Sequence, residues 1–204
     1  MAERHHCAWL DAVDGTIYAQ MFYRSQAARE KLDVAIGNLF IMCRADFAVN
    51  RAFQRLHASL QDTSIVGTLT GGADAHALLV SAHLAWRTLE ELGKRLRRGS
   101  LPYKDLHKAL RKHREVRARC KLGRDHFEHV TDHLRLGRAV HHGGKMTAKT
   151  FRQAVGAMVG TSVTFGNETF DLAEQVAALA DVRATVAPVL AAFATPSGRV
   201  VVTP

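Results

Sequence analysis

The sequence predicts an all-α protein: an antiparallel helical bundle with one small β-hairpin near residues 162–170 and a C-terminal helix. Three observations carry that expectation. Apolar residues recur at three- and four-residue spacing over most of the chain, as they do in helices that bury one face. Glycines and prolines gather at a few points and cut this pattern into segments. A tight-turn pair flanked by β-formers occurs at Gly166-Asn167. With 204 residues and 47% hydrophobic content, the chain is long enough to bury a sizeable core, and a single helical domain over residues 1–204 is expected.

In chain order, Ile17, Met21, Leu32, Ile36, Leu39, Phe40, Phe47, Phe53, Leu56 and Leu60 predict one long helix or two in series, with Gly37 or the Arg44–Asp46 region as the place for a bend. The stretch Gly67-Thr68-Leu69-Thr70-Gly71-Gly72 reads as a linker, and Asp74 as the N-cap of the next helix. That helix carries Leu78, Leu79, Ala82, Trp86, Leu89 and Leu92 on one stripe. Gly99-Ser100-Leu101-Pro102 breaks the chain, and Pro102 suits a first helical turn. A third helix is expected from about Pro102 into the Leu134–Leu136 region, interrupted or not at Gly123. Residues 137–147, with His141-His142-Gly143-Gly144, are expected to form a loop. A short amphipathic helix fits Ala148–Val159, and Ser162–Phe165 and Glu168–Phe170 flank the hairpin turn. A final helix from Asp171 should bury Leu172, Val176, Leu179 and Val182, and kink or end at Pro188. Residues 195–204 are expected to be a flexible tail.

Composition narrows the function classes. The start, Met1-Ala2-Glu3-Arg4-His5-His6, has no apolar run behind a basic stretch, so no signal peptide is expected. No window reaches the roughly 18 consecutive apolar residues of a membrane span, so no membrane association is expected. Three widely spaced cysteines, Cys7, Cys43 and Cys120, form neither a disulfide framework nor a zinc knuckle and suit a reducing cytoplasm; Cys43 and Cys120 read as small core residues. There is no phosphate-binding Gly-x4-Gly-Lys-Ser/Thr, no Gly-x-Gly-x-x-Gly and no Gly-x-Ser-x-Gly. With so few strands, dinucleotide folds and hydrolase sheets are excluded.

Charge is unevenly spread. Residues 94–124 hold 13 Lys and Arg against Asp105 and Glu115, a net +11, while the whole chain carries +9, so the remainder is −2. A concentrated basic stripe of this kind is the electrostatic footprint of a nucleic-acid binder. A solvated helix face with counter-charges supplied elsewhere in the fold stands beside that reading.

The stripe runs into Arg124-Asp125-His126-Phe127-Glu128-His129. Arginine offers a permanent cation with a planar fork matched to phosphate oxygens, and histidine both takes and gives a proton near neutral pH. Asp125 lies four residues before His129, the helical spacing at which a carboxylate orients an imidazole. At about 100° per residue, Arg124 sits on the shoulder of the apolar stripe, and Arg124 and His129 diverge by about 140°. A single unbroken helix does not aim both at one phosphate, so the motif needs either a helix break at Gly123 or a second copy across a two-fold axis, which predicts a homodimer. Two competing readings use the same residues. Arg124 and Glu128, four apart, form a simple ion pair in one. In the other, His126, His129 and His133 share an arc of about 60° and hold a metal, although nothing like His-Glu-x-x-His is present.

The string Arg124-Asp125-x3-His129 resembles the Arg-polar-x3-His signature of HEPN-domain proteins, and its continuation through Val130-Thr131-Asp132 resembles uncharacterised bacterial members. The family often has Asn at the second position; Asp125 stands there in this chain. The resemblance implies a dimerising α-helical bundle and a metal-independent endoribonuclease of the toxin–antitoxin, antiphage or RNA-processing kind, with RNA as substrate, an antitoxin or other protein as a further partner and no cofactor. It implies His129 as acid or base, Arg124 as the stabiliser of charge on the phosphorane, and Asp125 as the residue holding the His129 tautomer. Arg117, Arg119 and Lys121 would then steer the RNA backbone. Family members that keep the fold without cleaving RNA imply a non-catalytic RNA- or nucleotide-binding module as the alternative, and a purely structural partner-binding bundle is the third.

Overall fold

A computed structural model describes residues 8–13, 16, 26–96, 101–128, 157–165 and 168–193. Their order is a helical segment at 8–13, α1 (Gln26–Gln61), α2 (Ile65–Arg95), α3 (Leu101–Lys112), α4 (Arg114–Glu128), β1 (Ala157–Val159), β2 (Ser162–Phe165), β3 (Glu168–Asp171) and α5 (Leu172–Phe193). This is the expected helical bundle with a small antiparallel sheet and a C-terminal helix. Among the described residues no helix is long and apolar enough to cross a membrane. The loop expected at 137–147 and the tail at 195–204 lie outside the described residues.

α1 is one helix, assigned without interruption through Gly37 and Arg44–Asp46. Its buried stripe holds Leu39, Met42, Ala45, Asp46, Val49, Ala52 and Leu56. The expected Phe40 and Phe47 are 51% and 43% exposed. The apolar stripe therefore runs through smaller residues beside the aromatics, and Asp46 belongs to it because it has a buried partner.

The linker expected at Gly67–Gly72 is helix instead, and Asp74 caps nothing. The cap is Ser64: its Oγ accepts the Gly67 amide at 3.1 Å, while Asp62 Oδ1 accepts the Ser64 amide at 2.9 Å. Asp74 accepts a hydrogen bond from Arg55 Nε at 2.7 Å, across the α1–α2 hairpin. Close packing against backbone explains Gly67, whereas Gly71 meets only the flexible end of a methionine. A Cβ on Gly67 would meet the Asp62 carbonyl oxygen at 2.1 Å, and one on Gly71 would meet Met158 Cε at 2.8 Å. At Gly72 a Cβ would meet nothing within 4 Å, although glycine inside a helix costs about 0.5–1 kcal/mol relative to alanine.

The third helix is also divided differently. His113 forms a turn between α3 and α4, and α4 continues unbroken through Gly123. The helix break proposed at Gly123 is therefore absent: that glycine is buried, and its absent Cβ would lie 3.1 Å from Leu79 and 3.2 Å from Phe170. It serves close approach.

Of the helix expected at Ala148–Val159, residues 148–156 lie outside the described residues and 157–159 form a strand. The sheet order is β1-β2-β3, both pairs antiparallel, with Met158 opposite Val163 and Val163 opposite Phe170. Gly160 takes φ +57° in the β1–β2 turn. Phe165 pairs with Glu168 across the two-residue link expected for the hairpin. Asp171 Oδ1 accepts the Ala173 amide at 2.9 Å and so caps α5, which buries Leu172, Leu179 and Val182 as expected. Val176 is half-buried, and α5 runs past Pro188 to Phe193 rather than ending there.

The chain groups into two compact units. The first comprises residues 1–48, 84–114 and 177–204. Its core includes Trp9, Leu39, Met42, Trp86, Leu89, Leu106 and Val182, and it contains a buried ion pair, Arg183 Nη1 to Asp46 Oδ2 at 2.5 Å. The second comprises residues 49–83 and 115–176. Leu56, Leu78, Leu79, Cys120, Val163 and Phe170 fill its core, and the buried Gln175 side chain donates to the Val116 carbonyl at 2.8 Å.

Candidate functional site

The last turn of α4, in the second unit, carries Arg124, Asp125, His126, Phe127 and Glu128. Arg124 Nε and Nη2 donate to Asp125 Oδ1 at 3.0 and 2.5 Å, and Nε lies 3.1 Å from Glu128 Oε2. The ion pair weighed against the phosphate reading is therefore present, joined by a second carboxylate. Arg124 keeps 26% of its side chain exposed, Asp125 34% and Glu128 38%. The three side chains meet through these contacts while remaining partly exposed. His129 lies outside the described residues, so of the proposed catalytic trio Arg124 and Asp125 are brought together and His129 is not placed. Asp125, expected to orient His129, points its Oδ1 at Arg124.

One turn earlier, Cys120 is fully buried and its Sγ donates to the Leu79 carbonyl at 3.6 Å. Burial pushes the thiol up to about 12, with the Arg124 cation pulling the other way. Such a thiol is not a nucleophile near neutral pH. Cys43 is buried as well, and burial followed by the Asp46 charge raises it. Both are the core residues expected.

The three candidate RNA-steering cations differ. Lys121 is exposed. Arg119 is exposed but lies 3.6 Å from Glu174 and 3.9 Å from Glu115. Arg117 is half-buried, and that burial lowers its guanidinium from the usual range. In the first unit, Lys104, Lys108, Arg111 and Arg114 are exposed on α3 and at the start of α4.

Around the motif lies an aromatic group. The Phe127 ring stacks on His76 with centroids 5.2 Å apart and planes 13° from parallel, and His126 lies 6.1 Å from Phe170. His76 Nε2 is buried with no hydrogen-bond partner among the described residues. Of the three histidines read as metal ligands, His129 and His133 lie outside the described residues; among those described, no cluster of three His, Cys, Asp or Glu could hold a metal.

Phe127 also lines a cavity of about 420 Å³, whose walls include Ser59, Asp62, Thr68, Gly72 and Met158. Sequence reasoning missed it because its walls come from α1, the α1–α2 turn, α2, α4 and the sheet. The one local signal was Gly72, which read as a linker residue. No protein-family model, no curated protein and no solved structure matches this chain.

Proposed function

We propose that this chain is an RNA-handling protein of the HEPN type, a metal-independent endoribonuclease working as a homodimer. One observation supports the reading above the others. An arginine at the end of a basic helix is held in place by two carboxylates yet stays open to solvent, beside an exposed lysine one turn away. A bidentate guanidinium suits the charge that builds on a phosphorane, and the singly charged phosphodiester competes with Asp125 and Glu128 for it. His129 would act as acid or base: the ribose 2′-OH loses its proton as it attacks phosphorus, and the 5′-oxygen leaves with a proton. The products are a 2′,3′-cyclic phosphate and a 5′-hydroxyl, and no step requires a metal.

The same ion pairs favour a second reading, in which Arg124 only fastens the last turn of α4 and the basic helix binds RNA without turnover, or binds a protein partner. Cleavage of a labelled RNA in EDTA separates the readings. Wild-type protein should yield cyclic phosphate ends, and His129→Ala and Arg124→Gln should each abolish them while leaving the circular dichroism spectrum unchanged. Undiminished cleavage by His129→Ala rejects the catalytic reading. Salt-sensitive binding with no product from the wild type selects the non-catalytic one.

A further inference from the structure

We propose that the outward face of α1 is the interface between two copies of this chain, which pair antiparallel about a two-fold axis near Phe40 and Ile41. The homodimer invoked above has no assigned surface; this assignment stands on α1 alone and does not depend on the RNA reading. α1 is one uninterrupted helix from Gln26 to Gln61. At about 100° per residue, the positions from Gln26 to Arg51 that lie within about 60° of Gly37 form a single face. Every one of them is exposed except the half-buried Ala48. The buried stripe, through Leu39, Met42 and Asp46, points the other way.

The face that a helix turns away from its core is ordinarily polar. Here its middle is apolar: Val34, Phe40 and Ile41 are all exposed. Neighbouring exposed apolar groups rimmed by charge mark interaction sites. Gly37 sits among them, also exposed, and a Cβ there would meet nothing within 4 Å. Packing inside the chain therefore does not require this glycine. Without a side chain, this point of the helix lets another backbone come close.

Charge decides whose backbone that is. On this face Glu30 and Asp33 precede the centre of the apolar patch, and Arg44 and Arg51 follow it. Nucleic acid or an anionic membrane surface is repelled by the first half, and a uniformly basic partner by the second. A second copy running antiparallel matches both ends at once, whereas a parallel copy matches neither. With the axis between Phe40 and Ile41, Glu30 comes level with Arg51 of the partner subunit, and Gly37 with Arg44 of the partner subunit. Phe40 and Ile41 meet their own counterparts at the axis, and every other contact occurs twice. Among the described residues no ion pair engages Glu30, Arg44 or Arg51; Glu30 only accepts from Gln26 Nε2, on its own helix, at 3.1 Å.

The test is sedimentation equilibrium of the full chain over a range of concentrations, where the wild type should show a monomer–dimer equilibrium. Ile41→Glu should raise the dimer dissociation constant about a hundredfold or more. Its melting temperature in the monomer should not change, because the residue is exposed. Glu30→Arg and Arg51→Glu should each weaken the dimer about tenfold, since each change acts twice across the axis. An equimolar mixture of these two variants should regain the wild-type affinity, because opposite charges then meet at both ends. In a parallel pair like charges already meet, and neither single reversal would weaken it. A monomeric wild type, a dimer indifferent to Ile41→Glu, no loss from either charge reversal, or a mixture no tighter than its components each overturns the interface. A dimer indifferent to all the α1 variants leaves the homodimeric ribonuclease reading intact. A dimer that follows the expected order without RNA cleavage by the wild type sinks that reading and keeps the interface.

Discussion

Two arginines in this protein meet carboxylates under different conditions. Arg183 and Asp46 are 9% and 5% exposed and face each other at 2.5 Å within the core of the first unit. Arg124, in the second unit, is 26% exposed and divides its donors between Asp125 and Glu128, themselves 34% and 38% exposed. The first pair has left water, so removing either partner leaves the other charge buried without its counter-ion. The second keeps its hydration, so either carboxylate can be exchanged for another anion at small cost. The comparison separates an ion pair that the fold requires from one that is available to a ligand.

The largest effect should follow from breaking the first pair. Asp46→Ala leaves a buried guanidinium alone and should lower the unfolding free energy by about 3–5 kcal/mol, read from the urea midpoint at unchanged slope. The double variant Asp46→Leu/Arg183→Met should recover most of that loss, because apolar groups of similar size need no partner. A loss from Asp46→Ala below about 1 kcal/mol would place this pair in the same class as a surface bridge.

A smaller effect is expected at the motif. Arg124→Gln and Glu128→Gln should each change stability by about 1 kcal/mol or less, as exposed pairs do. Their effects on RNA should diverge: Arg124→Gln removes the cation offered to phosphate, whereas Glu128→Gln removes a competitor for it and should tighten binding. Equal and opposite roles of this kind are incompatible with a purely structural bridge. If both variants instead destabilise the fold as strongly as Asp46→Ala, the contrast between the two arginines fails.

The bundle and most of its stripes were legible because helical burial has a local period. Leu78 to Leu92 in α2 are buried at the expected positions. What escaped detection depended on contacts made only in the folded chain. Asp46 looked like a break in α1 because its partner, Arg183, is 137 residues away. Gly67 looked like part of a linker because the Asp62 carbonyl, which explains it, is a contact made only in the fold. The helical register of Arg124 to Glu128 was legible, including the Arg124–Glu128 spacing. The second partner, Asp125, reads from sequence as a partner of His129, because the two are four residues apart. The long arginine side chain reaches the adjacent carboxylate as well.

Asp181 sharpens the comparison from the side of the acid. Its side chain is 34% exposed, matching Asp125, and it accepts from His113 Nε2 at 2.7 Å and from Lys112 Nζ at 2.9 Å. Those hydrogen bonds, His113 first and Lys112 second, hold its carboxyl below the ordinary carboxylate range. A carboxyl whose pKa is lowered on folding adds stability that is fully present above its unfolded value of about 4. That stability is lost as pH falls through the folded value, because the unfolded chain then binds more protons than the native one. Asp181→Asn should therefore leave a stability–pH profile that is flatter below about pH 4 and lower above it. The change should be modest, because solvent screens a group this exposed. An acid limb identical to that of the wild type would mean that the His113 and Lys112 contacts do not persist in solution. Exposure of about a third would then suffice to dissolve an ion pair in this protein, and the Arg124–Asp125 contact, equally wetted, would lose its claim to orient the guanidinium.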